Sequence, residues 1–311
     1  GRAGRWEAAE GVMADMRADG MKVDTVAYNT LLQALARSRQ IERAEGLLDT
    51  VFASGMKLTL VTFNMLLAMY GKAGQWERAA EGFGAMTQYQ LQPDEVTFNC
   101  VIDAMAKGGQ WRRAEAYLAR MCRLGGPRPS VVTLTALVDA LGKGGQWERA
   151  EKVLRQMSDE FGVEPNAITF TTAMDAMAKG LQWQKAEELM EEMLRRGLQP
   201  NFITYNTLMN AYGRCGQVDK AQELLGRMRE NGVEPNMVTY TSLIDACIKD
   251  GQIQLAGSTL RQMISAGLKP DPSWYSAVFN AVSRQSGAAG SMFSNSEYFK
   301  GTDAGRPRLP S

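Results

Sequence analysis

Residues 60–94 read LVTFNMLLAMYGKAGQWERAAEGFGAMTQYQLQPD, and residues 202–236 read FITYNTLMNAYGRCGQVDKAQELLGRMRENGVEPN. Laid over each other, the two stretches share an aliphatic second residue, an aromatic–Asn pair at positions 4 and 5, and a basic residue at 13. They also share an Ala at 20, a Met at 27 and a closing Pro-Asp or Pro-Asn. Extending the match in both directions gives a period of 35 and units 25–59, 60–94, 95–130, 131–166, 167–201, 202–236 and 237–271. Units 95–130 and 131–166 each carry one extra residue before the close. Self-similarity at this period marks an array of stacked supersecondary units. Register 1 denotes the first residue of each unit.

Each unit reads as two helices. In the first, registers 4, 7, 8 and 11 are apolar, as in Phe98, Val101, Ile102 and Met105, an i, i+3, i+4, i+7 stripe. A glycine break follows, such as Gly108-Gly109 or Gly144-Gly145, where a left-handed cap costs little. The second helix opens on an apolar residue, often tryptophan (Trp76, Trp111, Trp147, Trp183), and register 20 is always Ala, from Ala44 to Ala256. Register 27 is Met except for Val51. Small and flexible residues at helical spacing describe a packed core, and the tryptophan column is read as packing rather than as stacking platforms for a ligand. One hairpin cannot bury both of its apolar faces, so the units must stack. The expected fold is all-α: an α-solenoid superhelix of helix-turn-helix repeats with the first helices on its concave side. Residues 1–24 read as the second helix of a truncated unit, 272–284 as another first helix, and 285–311 as a poorly ordered tail.

Composition narrows the chemistry. The chain has 311 residues, 35 Lys and Arg against 34 Asp and Glu, and no histidine. Without histidine there is no Ser-His-Asp or Cys-His catalysis and no His-containing zinc site. Cys100, Cys122, Cys215 and Cys247 show no CxxC spacing and read as buried thiols of a reducing compartment. No apolar run approaches the roughly 18 residues of a membrane span. The chain is expected to work without catalysis, cofactor, metal or membrane. It begins at Gly1 and is expected to be a fragment or processed product, with any targeting peptide upstream.

The first helix has a second stripe. Registers 2, 5, 9 and 13 project on one side. Register 2 is Val26, Val61, Val96, Val132, Ile168, Ile203 and Val238; register 5 is Asn29, Asn64, Asn99, Thr135, Thr171, Asn206 and Thr241. Register 13 is Arg37, Lys72, Lys107, Lys143, Lys179, Arg214 and Lys249. Two of these columns have ordinary structural readings. Cations favour a helix C-terminus, and Asp103, Asp139, Asp175 and Asp245 at register 9 sit one turn before four of them, suited to i, i+4 pairs. The closing residues Thr59, Asp94, Ser130, Asn166, Asn201, Asn236 and Asp271 are good N-caps. Register 5 is harder to explain, because Asn and Thr each cost a helix about 0.5 kcal/mol against Ala. An aliphatic residue, an uncharged hydrogen-bonding residue and a cation in every unit suit single-stranded RNA: bases against the aliphatic side chains, base edges at Asn or Thr, phosphates at the cations.

With these motifs in place, the sequence resembles the pentatricopeptide repeat family in its pure 35-residue form, over residues 1–284. The resemblance implies a sequence-specific binder of single-stranded RNA, one base per repeat, running from the RNA 5′ end. It implies work on mitochondrial or chloroplast transcripts (stability, splicing, processing or translation) alongside protein partners in organellar RNA metabolism. The base is implied to follow from register 5 and the closing residue together. Asn29 with Thr59 gives a pyrimidine, Asn64 with Asp94 gives U, and Asn99 with Ser130 gives C. Thr135 with Asn166 and Thr171 with Asn201 both give A, Asn206 with Asn236 gives C, and Thr241 with Asp271 gives G. The implied site is 5′-YUCAACG-3′. Departures from the pattern are Arg39 and Leu58 in the first unit and Leu181, in place of Gly, in the fifth. Two rival functions are a protein-interaction scaffold gripping a peptide and the RNA-recognition part of a larger processing enzyme.

Overall fold

In the computed structural model, residues 4–269 are described, apart from 22, 39, 54–58 and 124–125. The expectations for 272–284, 285–311, Arg39, Leu58 and Asp271 lie outside the described residues. Fifteen α-helices and no strand occur among the residues described. They are α1 (Gly4–Ala18), α2 (Thr25–Ser38), α3 (Ile41–Ala53), α4 (Leu60–Ala73), α5 (Trp76–Gln88), α6 (Glu95–Lys107), α7 (Trp111–Arg123) and α8 (Val131–Lys143). There follow α9 (Trp147–Asp159), α10 (Ala167–Lys179), α11 (Trp183–Arg195), α12 (Phe202–Cys215), α13 (Val218–Glu230), α14 (Met237–Lys249) and α15 (Ile253–Ser265). The chain divides into two compact units, residues 1–211 and 212–311.

Helices of 13 to 15 residues are marginal alone in water, so tertiary stacking must hold them. In the first unit α2, α4, α6, α8 and α10 each pack on the helix that follows in the same hairpin. The same five helices also pack on one another in sequence, α2 on α4 through to α8 on α10. Each second helix from α3 to α9 touches the next first helix. Within the second unit α14 packs on both α13 and α15. This is α-solenoid packing. The register-20 alanines from Ala44 to Ala256 are all fully buried, as are the register-27 methionines Met86, Met121, Met157, Met193, Met228 and Met263. Burying a methionine contributes roughly 1.5–3 kcal/mol, so the Met column is a main source of stacking energy.

The glycine breaks carry two separate roles. Gly109 and Gly145 have φ of 67° and 70° and supply the left-handed turn. Gly108 and Gly144 do not: their φ values are −83° and −79°. They are small because a tryptophan of the preceding hairpin lies on them. A Cβ on Gly108 would sit 2.3 Å from the Trp76 ring, and one on Gly144 2.2 Å from Trp111. A cation also lies over each ring, Arg113 over Trp76 at 4.3 Å and Arg149 over Trp111 at 4.9 Å. Arg149 also pairs with Glu115 at 2.8 Å, and Arg43–Glu10, Arg78–Glu45 and Lys185–Glu151 repeat that link from hairpin to hairpin. Tryptophan is therefore seam packing, and this set of cations is committed to the second-helix side. In the fifth repeat Leu181 occupies the left-handed position with φ of 59°, where an L side chain is strained.

Candidate functional site

The first helices begin on capped ends. Thr62, Thr97, Thr169, Thr204 and Thr239 donate their backbone N–H groups to the side chains of Thr59, Asp94, Asn166, Asn201 and Asn236. The closing residues are N-caps, as their types suggested. That fixed start sets the rotation of each helix. Register 4 then turns inward, with Phe63, Phe98, Leu134, Phe170, Tyr205 and Tyr240 all buried. Register 2 turns outward: Val26, Val61, Val96, Val132, Ile168, Ile203 and Val238 are each 51–69% exposed. Leaving a β-branched aliphatic in water in every unit forgoes the burial that would stabilise it.

Register 5 lies between these extremes. Asn29, Asn64, Asn99, Thr135, Thr171, Asn206 and Thr241 are all half-buried. In the first unit five of them are held by a residue the sequence reading passed over, the threonine at register 3 of the following repeat. Thr62, Thr97 and Thr133 donate their hydroxyls to Oδ1 of Asn29, Asn64 and Asn99 at 2.8, 2.7 and 2.5 Å. Thr169 and Thr204 meet the hydroxyls of Thr135 and Thr171 at 2.7 and 2.9 Å. These threonines are 0–2% exposed. The signal was present in the sequence: Thr stands at register 3 in six of seven units, Ala27 being the exception.

Around Asn64 the bonds close into a ring. Asn64 Nδ2 donates to Asp94 Oδ1 at 3.1 Å, Thr97 Oγ1 donates to Asn64 Oδ1, and the Asp94 backbone N–H donates to Thr97 Oγ1 at 3.2 Å. One Nδ2 hydrogen of Asn64 and Asp94 Oδ2 have no partner among the described residues. Burial opposes ionisation of Asp94, but hydrogen bonds from the Thr97 amide and from Asn64 outweigh it and hold the carboxyl below its usual range. Asn166 and Asn201 accept with Oδ1 in capping, which leaves the amide NH2 as their outward group. Thr171 donates its own hydroxyl to the Ala167 carbonyl at 2.7 Å, so it must accept from Thr204. Asn29, Asn64 and Asn99 therefore offer a donor at register 5, while Thr171 offers an oxygen lone pair.

The register-13 column is less free than its composition suggests. Lys107, Lys143 and Lys179 are paired with Asp103, Asp139 and Asp175 at 2.5–2.6 Å. Arg37, Lys72 and Arg214 have no carboxylate partner among the described residues, register 9 being Gln33, Ala68 and Asn210 in their units. Lys249 departs from the expected pairing with Asp245. Its Nζ donates to the Gly213 carbonyl at 3.1 Å, because that C=O lies in the last turn of α12, where a cation meets the helix dipole.

Of the four cysteines expected to be buried only Cys247 is; Cys100 and Cys215 are half-buried and Cys122 is exposed. Burial pushes the Cys100 and Cys247 thiols to about 11, leaving almost no thiolate near neutrality. Among the described residues, no three metal-ligating side chains gather and no helix is long and apolar enough to cross a membrane.

Comparison with known proteins agrees with this architecture. The PPR repeat family profile matches residues 58–107, 129–179, 172–211, 200–249 and 236–284, and the pentatricopeptide repeat domain profile matches 11–73. The chain belongs to the pentatricopeptide repeat family. Among solved structures, it is similar to the pentatricopeptide repeat protein PPR10 in complex with an 18-nt psaJ RNA element. The TM-score is 0.80 at 26% identity, over 90% of this chain and 41% of that one. It is also similar to PPR10 from maize, with a TM-score of 0.65 at 29% identity, over 93% and 44% of the two chains. A fold likeness, at 20% identity and TM-score 0.51, extends to the PPR domain of Arabidopsis thaliana protein-only RNase P 1 in complex with tRNA, over 60% and 98% of the two chains. The pentatricopeptide repeat chain described here thus spans about two fifths of PPR10. Among curated proteins none matches it significantly.

Proposed function

We propose that this pentatricopeptide repeat chain binds single-stranded RNA in a sequence-dependent way, one base per repeat, and acts on organellar transcripts without catalysing a reaction on them. The observation that carries the reading is that each first helix sets an exposed aliphatic side chain beside a register-5 polar group, and five of those groups are already hydrogen-bonded to the next repeat. Val61 and Val96 supply flat apolar contact to a base inserted between neighbouring repeats, and Asn64 with Asp94 meets its edge. The free Nδ2 hydrogen of Asn64 and the free Asp94 carboxylate oxygen set a donor beside an acceptor. Uracil offers the complement, a carbonyl oxygen beside N3–H; cytosine offers an unprotonated N3, which an ionised Asp94 repels.

The same logic extends to the other repeats. A closing asparagine such as Asn166 or Asn201 turns NH2 outward and suits a ring nitrogen that accepts, N1 of adenine or N3 of cytosine. A closing aspartate suits the protonated ring nitrogen of U or G. Closing residue and register 5 together support the site 5′-YUCAACG-3′, its last base resting on Thr241 with Asp271. PPR10, bound to an RNA element, supports the ligand class. Selection from a random RNA pool should enrich that heptamer, and Asn64→Thr should move the second base from U toward purine while the others stay. Equal loss of affinity for every sequence after Asn64→Thr would refute base reading, and enrichment of a peptide but no RNA would favour a scaffold.

A further inference from the structure

The buried threonines at register 3 accept the backbone N–H of the closing residue before them, Thr97 from Asp94, Thr133 from Ser130 and Thr204 from Asn201, and that bond leaves the hydroxyl hydrogen to be placed elsewhere. A hydroxyl at 0–2% exposure is tolerated only if hydrogen-bonded, and an aliphatic residue of the same shape would fill the space without that demand. What these hydroxyls share is their target, the register-5 side chain 33 or 34 residues earlier. An asparagine amide is nearly symmetric in shape, so packing alone cannot decide whether oxygen or NH2 faces a ligand. For Asn29 and Asn99, whose NH2 groups have no partner among the described residues, the threonine decides it by occupying Oδ1; for Asn64 it does so together with Asp94, whose Oδ1 accepts from Nδ2.

We infer that the register-3 threonine is a positioning residue: it fixes the polarity of the register-5 reader in the preceding repeat, so each base is read with the help of the next repeat along. Thr97 locks Asn64, Thr133 locks Asn99 and Thr62 locks Asn29. Where the reader is threonine the lock works in the opposite sense. Thr204 supplies a proton to Thr171, whose own proton is held by Ala167, and an acceptor is presented. The inference rests on the base-reading function proposed above and makes a claim that function alone does not: selectivity should move with a residue one repeat away from the reader.

The test uses the full chain carrying Thr97→Val or Thr97→Ser, with heptamers varied only at the second or only at the third base. Valine keeps the shape and removes the hydroxyl, leaving only the Nδ2–Asp94 Oδ1 bond to hold the Asn64 amide. The U-over-A preference at the second base should fall by about tenfold, the cost of roughly one net hydrogen bond, with the third base within about twofold of wild type. Thr97→Ser should restore the preference. Lost capping at Asp94 would lower the melting temperature without changing which base is preferred. If Thr97→Val keeps the full U-over-A preference, or loses it at the third base instead, the inference is overturned while base reading stands. If the wild-type chain shows no preference at the second base, base reading itself fails and the inference with it. Should Thr97→Val not fold, Thr133→Val read at the third base gives the same decision.

Discussion

Removing three carboxylates should make RNA binding more sensitive to salt. Each of Lys107, Lys143 and Lys179 is neutralised by an aspartate one turn earlier. A phosphate approaching these lysines meets a paired cation rather than a bare one, and the number of counterions released falls accordingly. Seven cations of the column engaging seven phosphates would give a log–log slope of affinity against salt of about −5. The structure leaves Arg37, Lys72 and Arg214 without carboxylates and Lys249 on a carbonyl, so three or four phosphates set the wild-type slope at about −2 to −3. The triple variant Asp103→Asn, Asp139→Asn, Asp175→Asn frees three lysines and should steepen that slope by about 2. Between 50 and 200 mM salt the variant would then lose about 15- to 20-fold more affinity than wild type. Exposed i, i+4 pairs are worth only about 0.3–0.5 kcal/mol each, so the fold should survive. Fluorescence anisotropy of a labelled heptamer across that salt range is sufficient. Parallel lines for the two proteins would show that these lysines do not face the phosphates.

Gly144→Ala should destabilise by about 1–3 kcal/mol through overpacking, since the new methyl meets Trp111 at 2.2 Å; Gly84→Ala, with nothing within 4 Å, should be neutral or stabilising in the same melting experiment. Leu181→Gly should raise stability by up to about 1 kcal/mol by relieving a left-handed leucine, and a lower melting temperature would mean that the leucine contributes contacts worth more than its strain. Asp94 is held below the usual aspartate range, so what its carboxylate contributes is complete above the unfolded value of about 4 and is lost only as pH falls through the lower folded one. The U-over-C preference at the second base should therefore be flat from pH 8 to 5, and a loss near pH 6 would contradict the hydrogen-bonding ring around that group.

Much of the fold was legible because its causes repeat. Ala44 through Ala256 could be placed in the core from spacing alone, and Val26 through Val238 on the outside, because helical periodicity assigns faces without knowledge of neighbours. The alanines are buried and the aliphatics exposed, as that spacing implies. Residues whose role depends on the neighbouring hairpin were misread or passed over. Gly108 looked like half of a cap, yet its smallness serves Trp76 of the preceding hairpin. Lys249 was matched with Asp245 on its own helix, but it reaches a carbonyl 36 residues away. Thr97 belongs to neither stripe of its helix, and periodicity offered it no role.

The amino-acid order by itself determined the hairpin, its period, its caps and which face each side chain takes, because those follow from bonds and contacts within about 35 residues of chain. Tertiary structure alone decided which hydrogen of Asn64 is free, why Lys249 reaches a carbonyl of the neighbouring first helix and why two adjacent glycines differ. Each depends on the offset between one first helix and the next. That offset is set by whole hairpins settling on one another, Met and Ala columns against their neighbours, and no local pattern encodes it.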